Sequence, residues 1–248
     1  MITKTGNSIT TSQVAEMLSQ EKPLIFWDTC SLLNILELAM NKKDKDVLEA
    51  YKNIYKLIRD KRVISVTSYY SLVEFNNNTE RVEKRQIDDQ TELKGNIKKF
   101  AIVAPQRWMK IIYCVLNRVF GYDSKLESLV KSIYKHTYII KVDVDQKNFA
   151  YDSLVNRQAP SERKPSYGDN LLWGAFLSTS LALGGTKKRI FMTLNPEDFK
   201  AKGSNNLATI IKDEMSRNGV EVCFDIKKAY HRHPIRINNA KIRIKIRT

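Results

Sequence analysis

Four acidic residues stand where carboxylates can do chemistry together. Asp28 directly follows the apolar run Leu24-Ile25-Phe26-Trp27, and Glu74 follows Val63-Ile64-Ser65-Val66-Thr67 within a few residues. Asp169 follows Lys164-Pro165-Ser166-Tyr167-Gly168, and Asp198 lies shortly after Arg189-Ile190-Phe191-Met192-Thr193. If these runs are parallel strands, the acids collect at the carboxyl edge of one sheet, where such sheets bind ligands. Gathered carboxylates repel one another, so the fold needs a compensating charge. Mg²⁺ or Mn²⁺, hard cations that prefer oxygen, supplies it. Such ions lower the pKa of bound water and neutralise charge on a phosphate during in-line attack. Singly, each acid has a plainer reading. Asp28 reads as a cap, Asp169 as a helix-start acid, and Glu74 as a solvated helix residue. Asn195 and Glu197 compete with Asp198 for one role in a loop turn. The order and context of all four carry the argument.

The elements that must position them are legible as alternating patterns. Five short apolar runs read as buried parallel strands: the three named above, Tyr138-Ile139-Ile140-Lys141-Val142, and Val220-Glu221-Val222-Cys223-Phe224. Leu48, Tyr51, Tyr55 and Ile58 repeat at helical spacing between the first two strands. Leu171, Leu172, Ala175 and Phe176 follow Gly168-Asp169, and Leu207, Ile210 and Ile211 precede Gly219, a helix stop. Strands alternating with helices predict an α/β domain, a three-layer α/β/α sandwich around a mainly parallel sheet. Residues 83–135 show no strand and read as an inserted helical layer, with Leu93, Ile97 and Phe100, then Ile111, Val115 and Val119. The organisation predicted is one domain over residues 1–225 and a basic C-terminal extension over 226–248.

Charge points to the partner. The 248 residues carry 42 Lys and Arg against 27 Asp and Glu, a formal charge of +15. The likeliest cellular polyanion for such a surplus is nucleic acid. From Ile226 to Thr248 there are eight basic residues and no acid. Lys241-Ile242-Arg243-Ile244-Lys245-Ile246-Arg247 alternates strictly, the period of a strand with one basic and one apolar face. It reads either as a ribbon along a phosphate backbone or as a charged edge strand that deters aggregation. Arg232, Arg236, Lys241, Arg243, Lys245 and Arg247, with Lys164 beside Asp169, are the candidate nucleic-acid contacts. A basic surface that holds a polyanion and an acidic pocket that holds ions fit metal-dependent phosphodiester cleavage.

At these residues the chain resembles the PIN-domain nucleases, in their larger bacterial and archaeal form. The resemblance is carried by Phe26-Trp27-Asp28-Thr29-Cys30-Ser31, Val73-Glu74-Phe75, Tyr167-Gly168-Asp169-Asn170 and Thr193-Leu194-Asn195-Pro196-Glu197-Asp198-Phe199. It covers residues 22–225, without a motif in the insertion. It implies an α/β/α sandwich, one or two divalent ions and an endonuclease, most often acting on RNA and leaving a 5′-phosphate and a 3′-hydroxyl. Asp28, Glu74, Asp169 and Asp198 would hold the ions and catalyse, with Thr193 and Asn195 as supporting groups. The chain departs from the family at Asn195, where an acid is frequent. Homodimers and inhibitory partners, as in toxins and antiphage effectors, are further implications. The same fold acting on structured DNA, and a non-catalytic nucleic-acid-binding module, stand as alternatives.

Other chemistries find less support. Cys30 takes the place of the second Asp that dehalogenase-type phosphatases need, and no histidine accompanies it as a nucleophile would require; it reads as a buried structural thiol. Gly184-Gly185-Thr186-Lys187-Lys188 lacks phosphate-loop spacing, and no GxSxG or GxGxxG occurs. Three scattered cysteines predict a reducing, cytoplasmic setting. The longest apolar run, Ile111–Leu116, has six residues, far short of the roughly 20 of a membrane span.

Overall fold

A computed structural model describes residues 7–18, 21–38, 45–101, 123–160, 162–185 and 187–232. Its centre is a six-stranded sheet, every strand parallel to its neighbours. The strands are β1 (Ser8–Ile9), β2 (Leu24–Trp27), β3 (Ile64–Ser68), β4 (Thr137–Ile140), β5 (Arg189–Met192) and β6 (Glu221–Cys223), in the order β1-β4-β3-β2-β5-β6. The chain runs outward from β2 through β3 to β4, then returns to the other side of β2 for β5. The strand order therefore reverses between β2 and β5, and the crevice of a parallel sheet opens at such a point, beyond the carboxyl ends.

The alternation of β2 shows how the layers form. Ile25 and Trp27 pack into one core; Leu24 and Phe26 pack into the other. Successive strand residues point to opposite faces, so a strand buried on both sides is apolar throughout. The first core is covered by α2 (Thr29–Glu37), α3 (Lys45–Arg59), the start of α4 (Tyr69–Ala101), α5 (Asp123–Lys135) and α9 (Ile226–Arg232). Residues of α1 (Val14–Met17), α7 (Tyr167–Leu183) and α8 (Thr209–Asn218) fill the second, and α6 (Val144–Val155) packs outside α7. This is the expected three-layer α/β/α sandwich. Helix α7 is buried on nearly every side between the sheet and α6, which accounts for its almost wholly apolar sequence. Gly174 allows the approach: a Cβ there would fall 2.7 Å from the Phe149 ring.

Several boundaries differ from the sequence reading. The helical layer expected from about residue 83 is not separate at its start. Helix α4 runs unbroken from Tyr69 to Ala101, so the insertion extends the helix that carries Glu74. Ile226 and Ala229 are buried in the first core, so α9 packs on the domain where the basic extension was expected to begin. Strand β1 and helix α6, capped reciprocally by Asp143 and Gln146, were not anticipated. Ile111, Val115, Val119 and the alternating segment Lys241–Arg247 lie outside the described residues, as do the side chains of Leu93, Ile97 and Phe100. Among the described residues no helix is long and apolar enough to cross a membrane.

Candidate active site

Each candidate acid leaves an element at the carboxyl edge. Asp28 is the residue after β2 and the N-cap of α2, and its backbone N–H continues the ladder by donating to the Met192 carbonyl at 3.0 Å. The neighbouring strand β5 ends one residue before Thr193, which is fully buried. The Thr193 hydroxyl donates to Asp28 Oδ2 at 2.7 Å, and the Cys30 thiol donates to the same oxygen at 2.8 Å. Cys30 is thus half-buried and tied to Asp28, rather than an inert core thiol. Oδ1 of Asp28 accepts no hydrogen bond from the described residues and remains the oxygen free for a ligand.

Glu74 comes from the second turn of α4, which starts directly after β3. Its Oε2 accepts a 2.6 Å hydrogen bond from Thr29, whose hydroxyl also lies 2.9 Å from that of Ser71. Residue 28 therefore supplies one carboxylate while residue 29 orients another. Asp169 sits in the first turn of α7. Ser166 caps that helix, its Oγ accepting from the Asp169 backbone N–H at 3.2 Å. A carboxylate at this end is favoured by the helix dipole.

The 3-10 turn Pro196–Phe199 gives the two acids of its loop different surroundings. Glu197 is drawn into ion pairs with Arg163 and Lys200, which hold its carboxyl below the usual range. Asp198 keeps no such partner and accepts instead from the Asn195 side-chain amide. The Asn195 backbone N–H donates to Thr193 Oγ1 at 3.1 Å, which links the two residues expected as supports. Phe199 anchors the turn from below, buried 5.5 Å from the Phe191 ring and 5.6 Å from Trp173.

Electrostatics shows that the acids share one neighbourhood. Burial pushes Asp28 up to about 6; the Cys30 and Thr193 hydrogen bonds oppose this, and the charges of Asp169 and Glu74 add to it. Asp198 rises to about 7, chiefly by burial and then by the charges of Asp169 and Asp28. Asp169 is also raised by burial, against the pull of the Ser166 hydrogen bond and the Lys164 charge. Lys164 is exposed, and its charge reaches Asp169 and Asp198. Among the described residues, none of the four carboxylates forms an ion pair.

Two tyrosines border the acids without having been anticipated. Tyr70, on the first turn of α4, is raised by burial and by the charges of Glu74 and Asp169. It packs against Gly168, where a Cβ would fall 2.5 Å from the Tyr70 hydroxyl. Tyr134 of α5 is raised by burial and by Asp28 and Glu74, and its buried hydroxyl has no hydrogen-bond partner among the described residues. Aromatics at helical spacing read as core from sequence, so nothing marked these two. Of the candidate nucleic-acid contacts, Arg232 ends α9, while Arg236, Lys241, Arg243, Lys245 and Arg247 lie outside the described residues.

The donor set fits a divalent ion by its chemistry: carboxylate oxygens without a paired cation among the described residues, of which Asp28, Asp169 and Asp198 are raised in pKa chiefly by burial. Among the described residues no three such groups are close enough to ligate one ion together. Mg²⁺, which keeps several waters and binds through one or two carboxylates, is compatible with such spacing. No protein-family model, curated protein or solved structure matches this chain.

Proposed function

We propose that the protein is a divalent-metal-dependent endoribonuclease. The observation that carries this reading is the joining of Asp28 to Thr193 across β2 and β5, with the charges of Asp169 and Glu74 raising Asp28 and those of Asp169 and Asp28 raising Asp198. The resemblance of the same residues to PIN-domain nucleases supports it, as does the +15 charge. Asp28, Glu74, Asp169 and Asp198 would hold Mg²⁺ or Mn²⁺. When bound, such an ion activates water and stabilises charge developing on the scissile phosphate.

The chain's own groups then have defined tasks. Thr193 and Cys30 fix Asp28 Oδ2 and so aim Oδ1. Thr29 fixes the Glu74 carboxylate, and Asn195 fixes Asp198. Asp198 and Asp28, raised to about 7 and about 6, must give up their protons before they hold the ion. Lys164, exposed beside Asp169, would meet substrate phosphate. A cytoplasmic setting, a homodimer and an inhibitory partner belong to the same proposal.

Matched single-stranded RNA and DNA, incubated with Mg²⁺, Mn²⁺ or EDTA, test the reading. Metal-dependent internal cutting of RNA supports it. Cutting of structured DNA alone would favour the DNA-directed alternative, and binding without any cutting would favour a non-catalytic module.

A further inference from the structure

The opposite edge of the sheet carries a second concavity, distant in the fold from the acids. Three loops lead into the adjacent strands β2, β3 and β4 at their amino ends, and each supplies a potential cation. Lys22 precedes Leu24, Lys61 precedes Ile64, and His136 precedes Thr137; these strand starts are neighbours in the sheet register. The three residues line one open cavity of about 200 Å³, together with the apolar Leu18 and Ile58 and the aromatic Tyr138. No acid lines it among the described residues. The acids nearest in sequence are engaged elsewhere, Glu21 with Lys187 and Asp60 with Arg59. Neither Lys22 nor Lys61 forms an ion pair with a described residue.

The backbone holds this arrangement open. Lys61 adopts a left-handed conformation, φ 55°, as helix α3 ends, and its N–H donates to the Ile58 carbonyl at 2.9 Å. That turn carries Lys61 from the helix terminus to the head of β3. The His136 ring packs 6.2 Å from Tyr55 of α3, which fixes one wall. Behind the cavity, Ser65 is satisfied by Trp27 and Thr137, so the floor asks nothing of a ligand.

We infer that this cavity binds a phosphate monoester carrying a planar body, of the nucleoside monophosphate class. Lys22 and Lys61 receive the phosphate as mobile point charges. Tyr138 and the Leu18–Ile58 wall receive the planar part. The volume lies below the roughly 300–1,000 Å³ of pockets that engulf drug-sized ligands, so it takes one compact group and leaves the remainder in solvent. The phosphate belongs either to a free nucleotide or to the 5′-phosphorylated end of a strand. This inference stands independently of the nuclease reading.

The test is titration calorimetry of the full chain in EDTA with AMP, adenosine and a 5′-phosphorylated tetraribonucleotide. The proteins compared are wild type, the Lys22→Ala/Lys61→Ala double variant and Asp28→Asn. We expect saturable binding of AMP or of the tetranucleotide by wild type and Asp28→Asn, at least tenfold weaker in the double lysine variant and for adenosine. Whichever phosphorylated probe binds identifies the source. Absence of saturable binding of both, or binding that survives loss of both lysines, or binding abolished by Asp28→Asn alone, would overturn the assignment. Both lysines are solvent-accessible, and circular dichroism verifies that the double variant is folded.

Discussion

Thr193 Oγ1 donates to Asp28 Oδ2 at 2.7 Å, joining residues 165 positions apart at the ends of adjacent parallel strands. The hydroxyl also accepts from the Asn195 backbone, so a single buried side chain links the first acid to the loop that carries the last. Replacing it with valine keeps the shape and removes the donor. Groups that orient metal-binding carboxylates typically cost about 10–100-fold when lost. Metal-dependent RNA cleavage by Thr193→Val is expected to fall by that order, while Thr193→Ser stays close to wild type. Single-turnover cleavage rates measure it, and a valine variant as fast as wild type would remove Thr193 from the site.

Asp28 also leaves a signature in stability. Its pKa is about 6 in the fold, raised by burial above the ordinary 3.8. The folded protein therefore holds this proton more tightly than the unfolded chain between those values, so the contribution of Asp28 to stability falls as pH rises from about 4 to 6. Asp28→Asn removes the cost of the buried charge. In EDTA the variant is expected to exceed wild type by roughly 3 kcal/mol at pH 7 and above, and the difference should vanish near pH 4. Urea unfolding across that range reads the difference directly.

Divalent ions should reverse that cost. An ion that binds only the folded chain stabilises it by about 2.7 kcal/mol at a hundred times its dissociation constant. For a domain of this size that is roughly 2–4 °C in Tm per kcal/mol. Mn²⁺ is expected to raise the Tm of wild type and not of Asp28→Asn or Asp169→Asn. The rise should shrink as pH falls through about 7 and then 6, because Asp198 and Asp28 must lose their protons to bind.

The close contact of Tyr70 with Gly168 makes a separate prediction. A methyl group at position 168 falls 2.5 Å from the Tyr70 hydroxyl and 2.8 Å from its ring. The ring is half-buried and must move, so Gly168→Ala should cost about 1–3 kcal/mol. Tyr70→Leu in the same chain should recover most of that, a coupling that denaturation of the double-mutant cycle measures. Additive losses would show that the two elements do not press on each other.

Much of this architecture was legible in the residues. The runs at Leu24, Ile64, Tyr138, Ile190 and Val222 are strands covered on both faces, which reads in sequence as short, largely apolar runs, unbroken only at Leu24–Trp27. Asp28 and Asp198 were visible as acids at strand ends. Residue types alone did not sort Glu197 from Asp198; the resemblance alone favoured Asp198, and their different partners depend on Arg163 arriving from a distant loop. Nor did it reveal the part of Cys30, whose contact with Asp28 is a matter of side-chain direction rather than residue type. Strand β1 has two residues, too few for any period to register. The continuity of α4 past residue 83 was hidden because its polar stretch, Asn76-Asn77-Asn78-Thr79-Glu80, shows little amphipathic pattern.

The central claim is the proposal that the four acids at the carboxyl edge of the sheet serve a metal-dependent ribonuclease. The most direct measurement is Mn²⁺-dependent cleavage of labelled RNA by wild type, Asp28→Asn and Asp169→Asn, with RNA binding measured on the same preparations. The account predicts internal cutting by wild type that EDTA abolishes, a loss of at least about a hundredfold in both variants, and RNA binding retained in all three. Cutting that persists in both variants, or RNA bound by wild type yet left intact with either metal, would contradict it.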